Sequence, residues 1–102
     1  MKKIIAITAC PTGIAHTFMA AKALENAGKK LNYEIKVETQ GATGIKNKLT
    51  NTDIENADAI IFAVETKVRE EDRFKERKIH KISVKEAIKN AEKAINDALS
   101  AE

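Results

Sequence analysis

Hydrophobic positions along the chain fall into two patterns that take turns. Residues 3–9 (Lys3-Ile4-Ile5-Ala6-Ile7-Thr8-Ala9) and 58–64 (Asp58-Ala59-Ile60-Ile61-Phe62-Ala63-Val64) are nearly unbroken apolar runs. Short runs of this kind, rich in β-branched residues, fit strands buried on both faces. Residues 33–38 alternate instead. Tyr33, Ile35 and Val37 share one side and Glu34, Lys36 and Glu38 the other, which predicts a strand with one wet face. Residues 78–82 predict a fourth, short strand with Ile79 and Ile82 inward.

Helical spacing fills the gaps. Over residues 15–31, Ile14, Phe18, Ala21, Leu24 and Leu31 fall on one stripe, and Ala20, Ala23 and Ala27 allow close packing. Gln40-Gly41-Ala42-Thr43-Gly44 reads as a loop, with Ile45 and Leu49 on a short helical turn after it. Thr52-Asp53-Ile54-Glu55 and Ser83-Val84-Lys85-Glu86 both fit a capping box. The second opens a helix with Val84, Ala87, Ile88, Ala91, Ile95, Ala98 and Leu99 on one side. Residues 65–77 are highly charged, with Val68 and Phe74 as apolar anchors.

Alternation of strand and helix implies α/β architecture with right-handed crossovers. The expected fold is a four-stranded parallel sheet of order 2-1-3-4, flanked by helices on both faces. The apolar strands should be central and the two wetter strands should be edges. In such a sheet ligands bind at the switch point, outside the carboxyl ends of the strands. That places residues 9–17 and 65–72 at the site before any motif is considered.

The 102 residues form one expected domain, 1–102, without internal repeats. No apolar run approaches the roughly 18 residues of a membrane span. Lys2 and Lys3 before an apolar run imitate a signal peptide, but the run is short and enters Pro11-Thr12-Gly13, so a cytoplasmic protein is expected. Residues 1–51 hold 8 Lys/Arg against 3 Asp/Glu, and residues 52–102 hold 10 against 12. The basic half contains no arginine, and four aromatic residues are spread over the chain. This is no nucleic-acid stripe, although a mildly positive face suits an anionic partner.

Candidate chemistry concentrates in Cys10-Pro11-Thr12-Gly13-Ile14-Ala15-His16-Thr17, where a central strand gives way to a helix. Amides at a helix start, with the helix dipole, favour anions. Gly13 permits a tight turn and close approach to a ligand. Thr12 and Thr17 add hydroxyl donors. A thiol in that position should ionise more readily, and thiolate is the nucleophile. The same amides would hold the oxygens of a phosphoryl group on sulfur. Cys10 as a small buried residue ending a strand is the competing reading. His16 either shields the loop at the surface or partners the thiolate or the phosphate. His80, among Lys78 and Lys81, reads as a surface residue. Cys10 and His16 alone make a poor metal set, so neither metal nor cofactor is expected.

Spacing narrows the chemistry. Tyrosine-phosphatase-like sites use Cys, five residues, then Arg and Ser/Thr; here Cys10 and five residues lead to His16 and Thr17. Imidazole grips phosphoryl oxygens less well than guanidinium, so hydrolysis should be slow and a phosphocysteine should persist. That favours a carrier over a phosphatase, with Glu70, Glu71 and Asp72 the acids available to a phosphatase. A non-catalytic anion-sensing domain is the third alternative.

The stretch from Thr8 to Ala20 resembles the phosphocysteine loop of the fructose-type enzyme IIB of the bacterial phosphotransferase system. Val37-Glu38-Thr39-Gln40-Gly41, Gly44, Ala57-Asp58-Ala59 and Arg73-Phe74 also match. The resemblance covers nearly the whole chain. It implies that Cys10 accepts a phosphoryl group from a phosphohistidine of a IIA component, with Thr12, Gly13, Ile14, Ala15, His16 and Thr17 binding the phosphate. It implies transfer to fructose or a related sugar in the membrane IIC component, at the inner face of the membrane, without ATP. Cys10 should then be shallow and exposed, because two partners reach it in turn. Glu65-Thr66-Lys67 departs from the Asp-containing stretch expected in many relatives.

Overall fold

A run of β-branched and apolar residues builds the centre of the sheet. In a computed structural model that describes residues 2–10, 14–41 and 44–100, the elements are β1 (Lys3–Ala9), α1 (Ile14–Lys30), β2 (Glu34–Gly41), β3 (Gly44–Lys46), α2 (Asn51–Asn56), β4 (Ala59–Val64), a 3-10 turn (Glu71–Phe74), β5 (His80–Ile82), α3 (Val84–Lys89) and α4 (Ala91–Ser100). Among the described residues the strand order is β3-β2-β1-β4-β5. β1 pairs in parallel with β2 and β4, and β4 with β5.

This contains the expected 2-1-3-4 order and corrects it in one respect. The sheet has a fifth strand, β3, paired antiparallel to β2 with Gly41 opposite Gly44, so it is mixed, not all parallel. Gly44 has φ +107°, open to glycine at little cost. Ile45 therefore lies on a strand, not a helical turn, and β2 is not an edge. Leu49 is buried in the extended segment before α2.

Alternate residues of β1 feed two cores. Ile4 and Ala6 pack with Ala20, Leu24, Val37, Ile61, Ala87 and Ile95, under α1, α3 and α4. Ile5 and Ile7 pack with Leu49, Ile54, Ile60, Phe62, Val68 and Phe74, under α2 and the 3-10 turn. Helical elements thus cover both faces, as the sequence predicts. Val68 and Phe74 are the anchors of the charged segment, and the Phe62 and Phe74 rings meet edge to face at 5.1 Å.

Local details shift the expected boundaries. The α2 box is formed by Thr50 and Asp53, two residues before the expected Thr52 and Glu55: the Asp53 N–H donates to Thr50 Oγ1 at 3.0 Å and the Thr50 N–H to Asp53 Oδ2 at 2.9 Å. Lys36 Nζ donates to the same carboxylate at 2.7 Å. That bond first, and the Thr50 N–H next, hold the Asp53 carboxyl well below the usual carboxylate range. Arg77 donates to the carbonyls of Ile54 and Ala57, closing the other end of α2. Ser83 caps α3 by accepting from the Glu86 N–H at 3.1 Å. The expected long final helix breaks at Asn90, which leaves helical geometry (φ −137°, ψ 53°), accepts from the Ala94 N–H and so starts α4. Helix α1 ends with Asn32 in the left-handed region and the Tyr33 N–H donating to the Gly28 carbonyl at 2.8 Å.

Gly28 is where α1 presses on β2. A Cβ there would stand 2.6 Å from Ile35 Cγ2. Replacing Gly28 with valine is expected to lower stability by about 1–3 kcal/mol, read as a fall in the urea midpoint with an unchanged denaturant slope.

Candidate functional site

The register of the sheet brings the site together. Ala9, the last residue of β1, lies opposite Gln40 on β2 and Val64 on β4. The next residue outward, Cys10, therefore falls between Gly41 and Glu65. The Glu65 N–H donates to the Ala9 carbonyl at 2.9 Å, drawing the following loop against β1. A cavity of about 260 Å³ opens there, lined among the described residues by Ala9, Cys10, Gln40, Gly41, Thr66, Lys67 and Arg69. This is the switch point at the carboxyl ends of the strands, where the topology alone had placed a ligand.

Cys10 is 6% exposed and packs at the end of the α1-side core, so the shallow, exposed cysteine expected from the sequence is corrected. Cys10 nevertheless lines the cavity. The Sγ donates to Glu65 Oε2 across 4.0 Å. A carboxylate this close opposes negative charge on the sulfur or on any group attached to it; two cations of the same loop, Lys67 and Arg69, also line the cavity.

The remaining expected site residues divide. Thr12 and Gly13 lie outside the described residues. Ile14 is the first residue of α1. Thr17 is buried, and its carbonyl accepts from Thr8 Oγ1 at 3.2 Å, joining α1 to β1. Ala15 and His16 are exposed and do not line the Cys10 cavity; His16 borders a separate depression with Glu65, Val84, Lys85 and Ile88. Glu70, Glu71 and Asp72 also do not line the Cys10 cavity, and Glu70 pairs with Lys48 at 2.8 Å. Phe18, expected on the buried stripe of α1, is 43% exposed beside Met19 at 52%.

Behind the cavity stands a buried polar network that strand alternation concealed. Glu38, expected on the wet face of its strand, is fully buried. Its two carboxylate oxygens accept from Arg73 Nη1 and Nη2, each at 2.9 Å, and also from the Leu49 N–H at 2.8 Å and Gln40 Nε2 at 2.7 Å. Burial pushes the Glu38 carboxyl up, but the bonds from Arg73, Gln40 and Leu49 together hold it below the usual glutamate range. Gln40 in turn accepts from the Arg69 N–H at 2.7 Å and donates to the Arg69 carbonyl at 3.1 Å. The signal was present in the sequence as Glu38-x-Gln40 and a later Arg73, which matched the resembling family without revealing that they pair.

The family model described as "PTS system, Lactose/Cellobiose specific IIB subunit" matches residues 5–97. The chain belongs to the PTS IIB family. It is 52% identical over 90 residues to the PTS system fructose-like EIIB component 1 of Escherichia coli strain K12, covering 88% of this chain and 83% of that protein. Among solved IIB structures, a domain from the fructose-specific IIABC component of Borrelia burgdorferi superposes with a TM-score of 0.91 at 46% identity, covering 97% of this chain and 94% of that one. The solution structure of an enzyme IIB subunit from Escherichia coli K12 gives 0.89 at 50% identity, covering 94% and 89%. The five-stranded arrangement described above is therefore a IIB fold. Among the described residues no helix is long and apolar enough to cross a membrane.

Proposed function

We propose that this chain is a phosphocarrier: Cys10 takes a phosphoryl group from a phosphohistidine of a IIA protein and gives it to a sugar held by a IIC membrane protein. The observation that carries this reading is the position of Cys10, at the carboxyl end of a central strand and in the wall of a cavity that also holds Lys67 and Arg69. In the first step the Cys10 thiolate attacks phosphorus, an S–P bond forms and the N–P bond breaks, its electron pair staying on the histidine. In the second a sugar hydroxyl attacks, an O–P bond forms, and the S–P bond breaks to return thiolate. The hydroxyl proton leaves to a base of the acceptor or to water. The donor is already activated, so the chemistry calls for neither ATP nor a metal. Residues 12–17 would hold the phosphate with main-chain amides.

A fructose-like substrate is favoured because relatives at about half identity carry that description, whereas the lactose/cellobiose wording belongs to a family-wide model. The chain would act in the cytoplasm, at the inner face of the membrane when engaged with IIC. Incubation with phosphorylated IIA should add the mass of one phosphoryl group, on Cys10. No mass gain would overturn the reading.

The partners need a surface on which to dock. Phe18 and Met19 are the exposed large apolar side chains among the described residues, on the first turns of α1, with Lys46 Nζ 5.3 Å from the Phe18 ring centre. Phe18→Asp is expected to raise the half-saturating IIA concentration about tenfold while leaving the maximal phosphorylation rate within about threefold of the parent. A rate loss at saturating IIA would place Phe18 in the chemistry instead.

A further inference from the structure

We propose that Arg69 supplies the guanidinium that the loop after β1 lacks, and that Gln40 is the residue that positions it. The proposal rests on the phosphocarrier reading of Cys10.

The need arises from charge. A phosphoryl group on the sulfur would lie close to the Glu65 carboxylate, whose Oε2 is 4.0 Å from Sγ. The place in the Cys10 loop where a phosphate-gripping arginine would stand is occupied by His16, which borders a different depression. The cations in the Cys10 cavity come from another element, the loop after β4, as Lys67 and Arg69. Together they set two positive charges against one carboxylate. Of the two, arginine offers a planar fork that can hold two phosphoryl oxygens at once.

Arg69 is also the residue whose backbone is fixed. One buried side-chain amide, Gln40, grips both its N–H and its carbonyl, and Arg73 Nη2 donates to the same carbonyl at 3.4 Å. Gln40 is itself held by Glu38. The next residue, Glu70, sits at φ 57°, a costly left-handed conformation for a residue other than glycine. Such a conformation persists where its surroundings over-determine it. The network thus fixes the root of Arg69 at the cavity wall and leaves its side chain to reach the phosphate.

The experiment compares the full chain with its Arg69→Lys, Arg69→Gln, Gln40→Met and Arg69→Gln/Gln40→Met variants. Single-turnover phosphorylation is followed over a range of phosphorylated IIA concentrations, alongside tungstate titration monitored by calorimetry. Arg69 is exposed, so its variants keep the test decisive if Gln40→Met fails to fold. Arg69→Gln is expected to slow the maximal rate about 10–100-fold, with the half-saturating IIA concentration changed less than about threefold. Tungstate should bind about tenfold more weakly. Arg69→Lys should recover part of the rate. Gln40→Met should slow transfer too, and the double variant should be no slower than Arg69→Gln alone, because Gln40 acts only through Arg69. A wild-type rate in Arg69→Gln overturns the assignment of Arg69. Multiplicative losses in the double variant overturn the positioning role of Gln40. If the parent takes no phosphate from IIA yet loses tungstate affinity on Arg69→Gln, the carrier reading falls and the anion-binding role of Arg69 stands.

Discussion

Serine at position 10 is expected to end phosphate uptake, lowering the rate of phosphorylation by IIA on the order of a thousandfold or more. The replacement keeps shape and position but exchanges a thiol, whose anion is a strong and accessible nucleophile, for a hydroxyl, whose anion is not accessible in water. Even a slowly formed serine phosphate would be a stable ester and a poor donor to the sugar. Cys10 packs at the end of a core, so a modest stability loss of about 1 kcal/mol is expected, too small to unfold the domain. Intact-mass spectra after incubation with phosphorylated IIA decide the matter, with a thermal melt as control. The same variant separates the other two readings: a cysteine phosphatase would lose turnover of an aryl phosphate, and an anion-sensing domain would keep its response to its partner.

Arg73→Met is expected to cost about 3–5 kcal/mol of stability, a large share of the roughly 5–15 kcal/mol that holds a domain together. The cause is the carboxylate left behind. Glu38 is fully buried, and Arg73 occupies both of its oxygens. Without the guanidinium, burial is expected to outweigh the remaining Gln40 and Leu49 bonds and to favour the protonated acid. Replacing Glu38 as well, as Glu38→Gln/Arg73→Met, should restore part of the loss, since a neutral amide still offers an acceptor to the Leu49 N–H. Urea midpoints of the parent and the two variants test this; a double variant no better than Arg73→Met would assign the cost to lost packing.

The pH dependence should also invert. In the parent, Glu38 has its carboxyl lowered in the folded state, so its stabilising contribution is complete above the ordinary glutamate range. That contribution disappears as pH falls through the lowered native value. In Arg73→Met the carboxyl prefers its proton, so the deficit relative to the parent should shrink on mild acidification. A deficit constant with pH would count against this account.

Much of the frame was readable from residue pattern because solvent leaves a clear mark on it. Residues 3–9 and 58–64 are nearly unbroken apolar runs and hold two adjacent internal strands, β1 and β4. Tyr33, Ile35 and Val37 face the same core. The switch point and its cavity follow from strand order, which those runs dictate. The misses have physical causes that residue pattern does not carry, the first being partners distant in sequence. Glu38 looked wet because Glu34 and Lys36 on the same side are wet, while its burial depends on Leu49 and Arg73, far along the chain. β3 is three residues long and carries too little periodicity to signal a strand. Thr50 and Thr52 each start a plausible cap; Thr50 is the one realised, and its Asp53 also meets Lys36 from β2. Phe18 follows the helical stripe and still points outward, consistent with a surface made for another protein.

The short outer strands have a consequence for the chain in crowded solution. Both margins of the sheet, β3 and β5, run only three residues, and each carries an exposed lysine, Lys46 or Lys81. Little main chain is offered for a stranger to zip onto, and each offering is guarded by positive charge that repels a second copy. A sheet with such margins is expected to resist edge-to-edge association even at high concentration.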